Sequence, residues 1–433
     1  MKVLLISHNP ITTYHNMGKT LLSLFSSFKK EELCQLYIYP TLPDTDRCSS
    51  YYRITDKNIL KSYTSFFRVK GCEIDKSLIN EANTMFSEES DRQIYHNKKN
   101  KLPLRMLARD LMWKFSSWYN NDLKQWLLRE SPDCIFVAPG TAKFLYDIAL
   151  KISRRLNIPI IMYVCDDYYF IKEPNGLLGK IRLSLLKKKI EKLLSKASHI
   201  ITICDEIKDL YNNRFKIPAT TIMTGTNYPI AQSYADTVAD TITYMGNIRC
   251  KRYKSLAALG HTLDDINRKH NTNHKLKIYS NEKDKSILSS FNNIDSIQFC
   301  GYVQGEEFDK VFRSSHLLLH VEAFDNDSID LVKHSVSTKI ADSLASGIPL
   351  LAYAPDYVSS MKHLMRNNCA LCANEEKALE NILVTAFCDG QARKKAVENA
   401  IETAKKYHNR ETNSKCLYHI LDIIVKNRRL YER

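Results

Sequence analysis

Within 433 residues no apolar run approaches the roughly 18 to 20 needed to span a bilayer, which points away from an integrally inserted chain. The opening MKVLLISHNP holds one lysine and a short apolar run, too little for a secretory signal. It reads as a buried first strand, and the expected compartment is the cytoplasm. Low-complexity tracts are missing, and 44% hydrophobic with 26% charged residues is the balance of an ordinary globular protein. Paired cysteine motifs are scarce too. Most of the twelve cysteines stand singly, several inside apolar runs such as PDCIFVA and IITICDE, where cysteine serves as a small hydrophobe. Cys369 and Cys372 form one C-x-x-C without the second pair that a structural zinc site requires, so neither disulfides nor a metal is expected. The first βα turn, SHNPITTYHNMGKTLL, contains a single glycine; the three-glycine dinucleotide fingerprint is absent and a dehydrogenase is disfavoured.

What the chain does have is positive charge, 63 basic against 48 acidic residues for a formal +15, which favours an anionic partner. A phosphorylated donor and an acidic membrane surface both fit. Nucleic acid is not expected, because no recognised nucleic-acid module accompanies the charge. The length calls for two domains of about 200 residues each. Short runs rich in Val, Ile and Tyr alternate with helical patterns, the signature of parallel βα units. Strands are predicted at 3–7, 35–39, 133–138, 159–164 and 198–203, and a second series at 242–246, 276–280, 297–301, 316–322 and 349–353. Helices are predicted over Gly18–Phe28, over Thr141–Leu156, and over Leu104–Leu128 with Trp113, Trp118 and Trp126. These tryptophans read as core packing, with an acceptor-facing wall as the alternative. The fold class is therefore α/β, two Rossmann-like domains facing a central cleft. The expected divisions are 1–225 with an insertion at about 41–130, 226–405, and a C-terminal helix over 406–433 that packs back on the first domain. Open α/β sheets bind ligands at the carboxyl ends of their strands.

Several positions there suit an anionic ligand. Gly18 opens a helix whose N–H groups can receive a phosphate or a sugar hydroxyl, with an ordinary helix start as the alternative. The segment YMGNIRCKRYKSLAAL places Arg249, Lys251 and Arg252 after a strand and glycine, as a pyrophosphate needs, with a solvated basic turn as the alternative. In STKIADSLASGIPLLAY, Ser337 and Thr338 can cap a helix, Lys339 adds a cation in its first turn, and Asp342 is placed to accept from ribose hydroxyls. The helix over GLLGKIRLSLLKKKIEKLLSKASHI holds seven cations against one acid between Lys180 and Lys196; it suits either anionic lipid or packing on the sheet.

In this order the segments resemble family-4 (group 1) glycosyltransferases of the GT-B fold. YMGNIRCKRYKSL looks like the family's donor loop, giving Gly246 and Asn247 donor-binding roles. IQFCGYVQGEEFDKVFRSSHLLLHV resembles the segment whose backbone contacts the nucleotide base, here Tyr302 and Val303; SHNPITTYHNMGKTLL resembles the first acceptor-domain loop. Asp342 matches the second acid of the E-x7-E motif. The first acid would fall at His334, where this sequence departs from the pattern; Glu322 or Asp325, or else backbone and lysine contacts, are the alternatives for its place. On the acceptor side Asp166 replaces the family's histidine, with a helix cap as its other reading.

The resemblance implies transfer of a hexosyl or related sugar from a nucleotide diphosphate sugar to a surface glycan or lipid-linked acceptor in polysaccharide biosynthesis. It implies retention of configuration and peripheral contact with the inner membrane face. Lys339 and Arg252 would stabilise the leaving pyrophosphate, with Asp166 as the third catalytic group, and no cofactor is expected. A nucleotide-sugar epimerase of the same fold and a non-catalytic partner of another transferase are the alternatives.

Overall fold

Runs such as VLLIS, CIFVA and IIMYV are apolar at nearly every position, which suits strands covered on both faces rather than a half-exposed sheet. The computed structural model describes residues 1–13, 16–64, 71–75, 79, 103–234 and 239–431, and each of these runs is a strand buried along its whole length. The chain divides into two compact units: Met1–Met223 with Arg410–Arg433, and Thr224–Asn409.

In the first unit the elements are β1 (Val3–Ser7), α1 (Asn16–Leu24), β2 (Leu33–Tyr37), β3 (Ser50–Arg53), α2 (Asp56–Thr64), β4 (Cys72–Glu73), α3 (Pro103–Phe115), α4 (Asn121–Glu130), β5 (Cys134–Ala138), α5 (Lys143–Leu156), β6 (Ile160–Val164), α6 (Leu177–Leu194), β7 (Ala197–Thr202), α7 (Asp205–Phe215) and β8 (Ala219–Thr221). The sheet order is β4-β3-β2-β1-β5-β6-β7-β8. All neighbours are parallel except β3 and β4. Parallel pairing demands a crossover between successive strands, and helices supply it except between β2 and β3, where residues 38–49 make the connection without one.

The second unit runs β9 (Thr241–Met245), α8 (Arg252–His270), β10 (Lys275–Tyr279), α9 (Lys285–Leu288), β11 (Ile297–Gly301), α10 (Glu306–Arg313), β12 (Leu317–Val321), α11 (Asn326–Val332), α12 (Thr338–Ala345), β13 (Leu350–Tyr353), α13 (Ser359–Arg366), β14 (Leu371–Ala373), α14 (Leu379–Cys388) and α15 (Gly390–Tyr407). Its sheet has the order β11-β10-β9-β12-β13-β14 and is parallel among the described residues. The chain then returns to the first unit as α16 (Arg410–Tyr431). There Leu417, Leu421 and Val425 join a core containing Phe25, Phe28 and Phe136, and Arg410 donates to the Leu22 carbonyl at 3.0 Å.

Two local expectations change, and one between alternatives is decided. The helix predicted over Leu104–Leu128 is two helices, α3 and α4, broken at Ser116–Asn120, where the Asn120 side chain accepts from Leu123 N at 2.9 Å and starts α4. The stretch 41–130 is not wholly outside the sheet, because β3 pairs in parallel with β2; residues 65–70, 76–78 and 80–102 of it lie outside the described residues. The tryptophans are buried, as the core-packing reading expects, and the alternative of an acceptor-facing wall falls away. Trp113 stacks on Phe144 with ring centroids 4.3 Å apart and donates to Asp56 at 2.7 Å; Trp126 donates to Ser50 at 3.0 Å.

Candidate functional site

Strand order reverses direction beside β1 in the first sheet and beside β9 in the second, the two topological switch points. In the second unit β12 pairs with β9 only through Leu317↔Ile242 and Leu318↔Thr243, so the ladder ends before either strand does. The residues that follow β9 and β12, together with the start of α12, make up the candidate site.

After β9 the chain turns sharply into α8. Tyr244 donates its hydroxyl to the Asn247 carbonyl at 2.7 Å, the Asn247 side chain accepts from Arg249 N at 2.7 Å, and Cys250 and Lys251 take φ of 53° and 57°. Two successive non-glycine residues in the left-handed region are unusual and cost of order 1 kcal/mol each or more, so the loop is held by its hydrogen bonds. Gly246 is constrained by space: a Cβ there would lie 2.9 Å from Lys339 Nζ and 3.0 Å from the Tyr244 hydroxyl. The absence of a side chain lets the exposed Lys339 bring its ammonium over the strand end.

The basic loop is matched by carboxylates. Arg252 donates from Nε and Nη2 to the two oxygens of Glu322 at 2.7 and 3.0 Å, a bidentate pair with both side chains mostly buried. Ser255 donates to the Glu322 carbonyl at 2.8 Å. Arg249 pairs with Glu282 at 2.7 Å, and its guanidinium, acting against burial and aided by the Asp284 and Lys283 N–H groups, holds that carboxyl down to about 2. Lys251 Nζ meets Asp325 at 2.7 Å; Asp325 also caps α11 through Ser328 N at 3.1 Å. His320, on β12, is pushed below its ordinary value first by burial, with Arg252 and Lys339 acting the same way and Glu322 opposing. Its Nε2 lies 3.1 Å from the Ser360 hydroxyl.

Ser337 stands at the start of α12 without a side-chain capping bond, and Thr338 and Lys339 form its first turn. Asp342, one turn on, accepts from Thr226 Oγ1 at 3.1 Å and Asn227 N at 2.8 Å, tying that segment to the helix. Tyr302 and Val303 follow β11, the edge strand two places from β9; Tyr302 is exposed and Val303 buried. His334 lies in the turn before α12. Gly246, Asn247, Arg249, Lys251, Arg252, Glu322 and Lys339 thus gather around one crevice, Ser337, Thr338 and Asp342 stand on its neighbouring helix, and Tyr302 and Val303 lie at the sheet edge.

Gly18 and Asp166 belong to the first unit. Gly18 lies inside α1, where a Cβ would fall 2.4 Å from Thr12 Oγ1 and 2.7 Å from Thr12 N, so close packing of the preceding loop accounts for the glycine. Asp166 follows β6 and accepts from Tyr168 at 3.2 Å, while Asp167 accepts from the Tyr169 and Phe170 N–H groups and closes the turn. Sequence reasoning missed a polar network at the carboxyl end of β1. His8 Nε2 lies 3.3 Å from Arg109 Nη2, Arg109 pairs with Asp56 at 2.9 Å, and Asp110 pairs with the buried Lys143 at 3.0 Å. Burial raises the Asp110 carboxyl despite the opposing Lys143, Arg182 and Arg109. The available signal was the adjacent Arg109 and Asp110 in LRMLARDLMWKF, where Asp110 is the one acid.

No protein-family model matches the chain, and no curated protein matches it by sequence. Solved structures do. Anabaena HepE in complex with UDP is 10% identical with a TM-score of 0.62, over 98% of this chain and 100% of that one. Sucrose-phosphate synthase from Thermosynechococcus elongatus is 12% identical at 0.57, over 100% of both chains. The α,α-trehalose 6-phosphate synthase from Burkholderia multivorans is 11% identical at 0.60, over 100% of this chain and 98% of its own. The chain is thus an α/β protein of two Rossmann-like, parallel-sheet domains matching GT-B glycosyltransferase structures.

Proposed function

We propose that this protein is a glycosyltransferase that uses a nucleotide diphosphate sugar as donor, and that the crevice between β9 and β12 receives the donor. The observation that carries this reading is the Lys339 ammonium held over Gly246 in the same cluster as the Arg252–Glu322 pair. Lys339 supplies the exposed charge for the pyrophosphate, and the start of α12 adds its dipole. Arg252, oriented by Glu322, adds a fixed positive group, so charge growing on the leaving diphosphate meets donors already in place. Arg249 and Lys251 exchange part of their carboxylate contacts for phosphate oxygens. Asp342 serves the ribose, and Tyr302 with Val303 the base. HepE structures hold UDP, UDP with glucose, and UDP-glucose, which supports a uridine donor here. Membership of family 4, retention of configuration, a glycan or lipid-linked acceptor bound by the first unit, and Asp166 as its polar contact belong to the same proposal.

A panel of nucleotide sugars tests it: one donor is hydrolysed or transferred, and the reading fails if none is bound or consumed. His334 in place of the first acid, with Asp342 engaged by residues 226–227, favours a second reading, a donor-binding subunit without turnover of its own. Binding without consumption, with turnover restored by an added transferase, would decide for it.

A further inference from the structure

Asp342, on α12, is assigned above to the donor ribose, yet its carboxylate is already claimed by the segment that opens the second unit. Oδ1 accepts from Asn227 N at 2.8 Å and from Thr226 Oγ1 at 3.1 Å, and the Asn227 side-chain amide lies 3.5 Å from Oδ2. The Thr226 hydroxyl in turn accepts from Tyr228 N at 3.0 Å, so the three residues make one tight turn at the carboxylate. Tyr228 then reaches α10, which begins shortly after Tyr302 and Val303. Its ring stacks on Phe312 with centroids 5.0 Å apart and planes 14° from parallel, and its hydroxyl donates to Asp309. Burial pushes the Tyr228 phenol up, with Asp309 and Asp342 acting the same way and Arg313 opposing. Residues 226–228 therefore touch the helix assigned to the ribose and the helix that follows the residues assigned to the base.

Other bonds fasten the ends of this segment. Thr226 N donates to the His408 carbonyl at 2.9 Å, and Ala231 N to the Ala345 carbonyl at 2.8 Å. A rotation of the Thr226 side chain and a shift of the exposed Asn227 peptide free Asp342 while both anchors hold. A ribose presents two neighbouring hydroxyl donors, and a carboxylate receives such a pair on its two oxygens. Those hydroxyls need the lone pairs that Thr226 and Asn227 occupy, so segment and ribose exclude one another at Asp342. A ligand that must first release such a contact binds with an apparent affinity lowered by the fraction of molecules in which it is already open.

We propose that residues 226–228 are an internal competitor for the nucleoside subsite, holding Asp342 until the donor ribose displaces them. The inference rests on the donor reading above. Residue-resolved hydrogen exchange of the full chain, with and without saturating UDP, tests it, together with calorimetric titration of the parent and Thr226→Val with UDP and with uridine. Asn227 N–H, protected by Asp342, exchanges about tenfold faster or more once UDP is bound, whereas Thr226 N–H and Ala231 N–H keep their protection. Thr226→Val removes one competing donor, so UDP and uridine both bind about two- to tenfold more tightly, by the same factor because the ribose is common to them. Asn227 exchange that is unchanged or slower with UDP bound overturns the proposal, as does a folded Thr226→Val variant whose UDP affinity is no higher than the parent's. In both cases UDP still binds and the donor reading stands. A parent that binds neither UDP nor uridine overturns both.

Discussion

Gly246 and Gly18 are fixed by space rather than by backbone angle, and they make opposite demands on an added methyl group. At Gly246 the nearest atoms are the mobile end of Lys339 and the Tyr244 hydroxyl. Gly246→Ala therefore moves the ammonium off the strand end, weakening nucleoside diphosphate binding at a stability cost of about 1 kcal/mol. At Gly18 the nearest atoms include Thr12 N and the Pro10 carbonyl, backbone that cannot turn aside. Gly18→Ala costs about 1–3 kcal/mol, read as a lower denaturation midpoint, and leaves diphosphate binding alone; an unaltered midpoint would contradict the packing described. The glycine and cations after β9 were visible in the sequence as a strand, a glycine and a basic cluster. Their partners were not, since Arg249, Arg252 and Lys251 reach carboxylates 33, 70 and 74 residues away and no local pattern marks such pairs. The network of His8, Asp56 and Arg109 escaped for the same reason.

At the level of elements, legibility followed burial. Strands β1, β5 and β6, buried at every position, stand out as unbroken apolar runs, and their predicted limits differ from those observed by a residue at most. β3, with the sequence SYYR among polar neighbours, gave no such run. The helix expected over Leu104–Leu128 split because apolar spacing continues through both α3 and α4, whereas Asn120 carries the stop and restart. Asn120→Ala removes the acceptor for Leu123 N and costs about 1 kcal/mol, seen as a lower urea midpoint with an unchanged slope. A change below a few tenths of a kcal/mol would show that α4 is held by Leu123, Trp126 and Leu127 alone.

For the whole molecule, α/β class and two parallel-sheet domains could be read from the βα rhythm, because that rhythm repeats in both halves of the chain. The closure of each unit could not. The chain passes between units at Met223–Thr224 and again at Asn409–Arg410, and His408 joins the two passages on the side of the second unit. His408 Nδ1 lies 2.8 Å from the Thr224 carbonyl, an acceptor, so Nδ1 carries the proton and Nε2 accepts from His363 Nε2–H at 3.0 Å. Burial pushes His408 down to about 4, with the Thr224 carbonyl opposing. Between that value and the unfolded value of about 6.5 the unfolded chain holds the extra proton, so stability falls as pH falls through this window, by about 3 kcal/mol at most. His408→Gln loses less stability than the parent between pH 7 and pH 4, although His199, His274 and His320, also lowered by burial, keep some slope in both. Equal losses would contradict the assignment.

The donor site is the centre of the account, and calorimetric titration of the parent and Lys339→Ala with UDP and with uridine tests it most directly. In the proposed function Lys339 makes a charge-assisted contact to the diphosphate and none to the nucleoside, so the proposal predicts that its removal weakens UDP binding by about 1.5–3 kcal/mol, roughly ten- to hundredfold, and leaves uridine binding as it was. Equal UDP affinities in the parent and a folded Lys339→Ala variant, or a parent that binds no nucleoside diphosphate, would contradict the placement of the donor between β9 and β12.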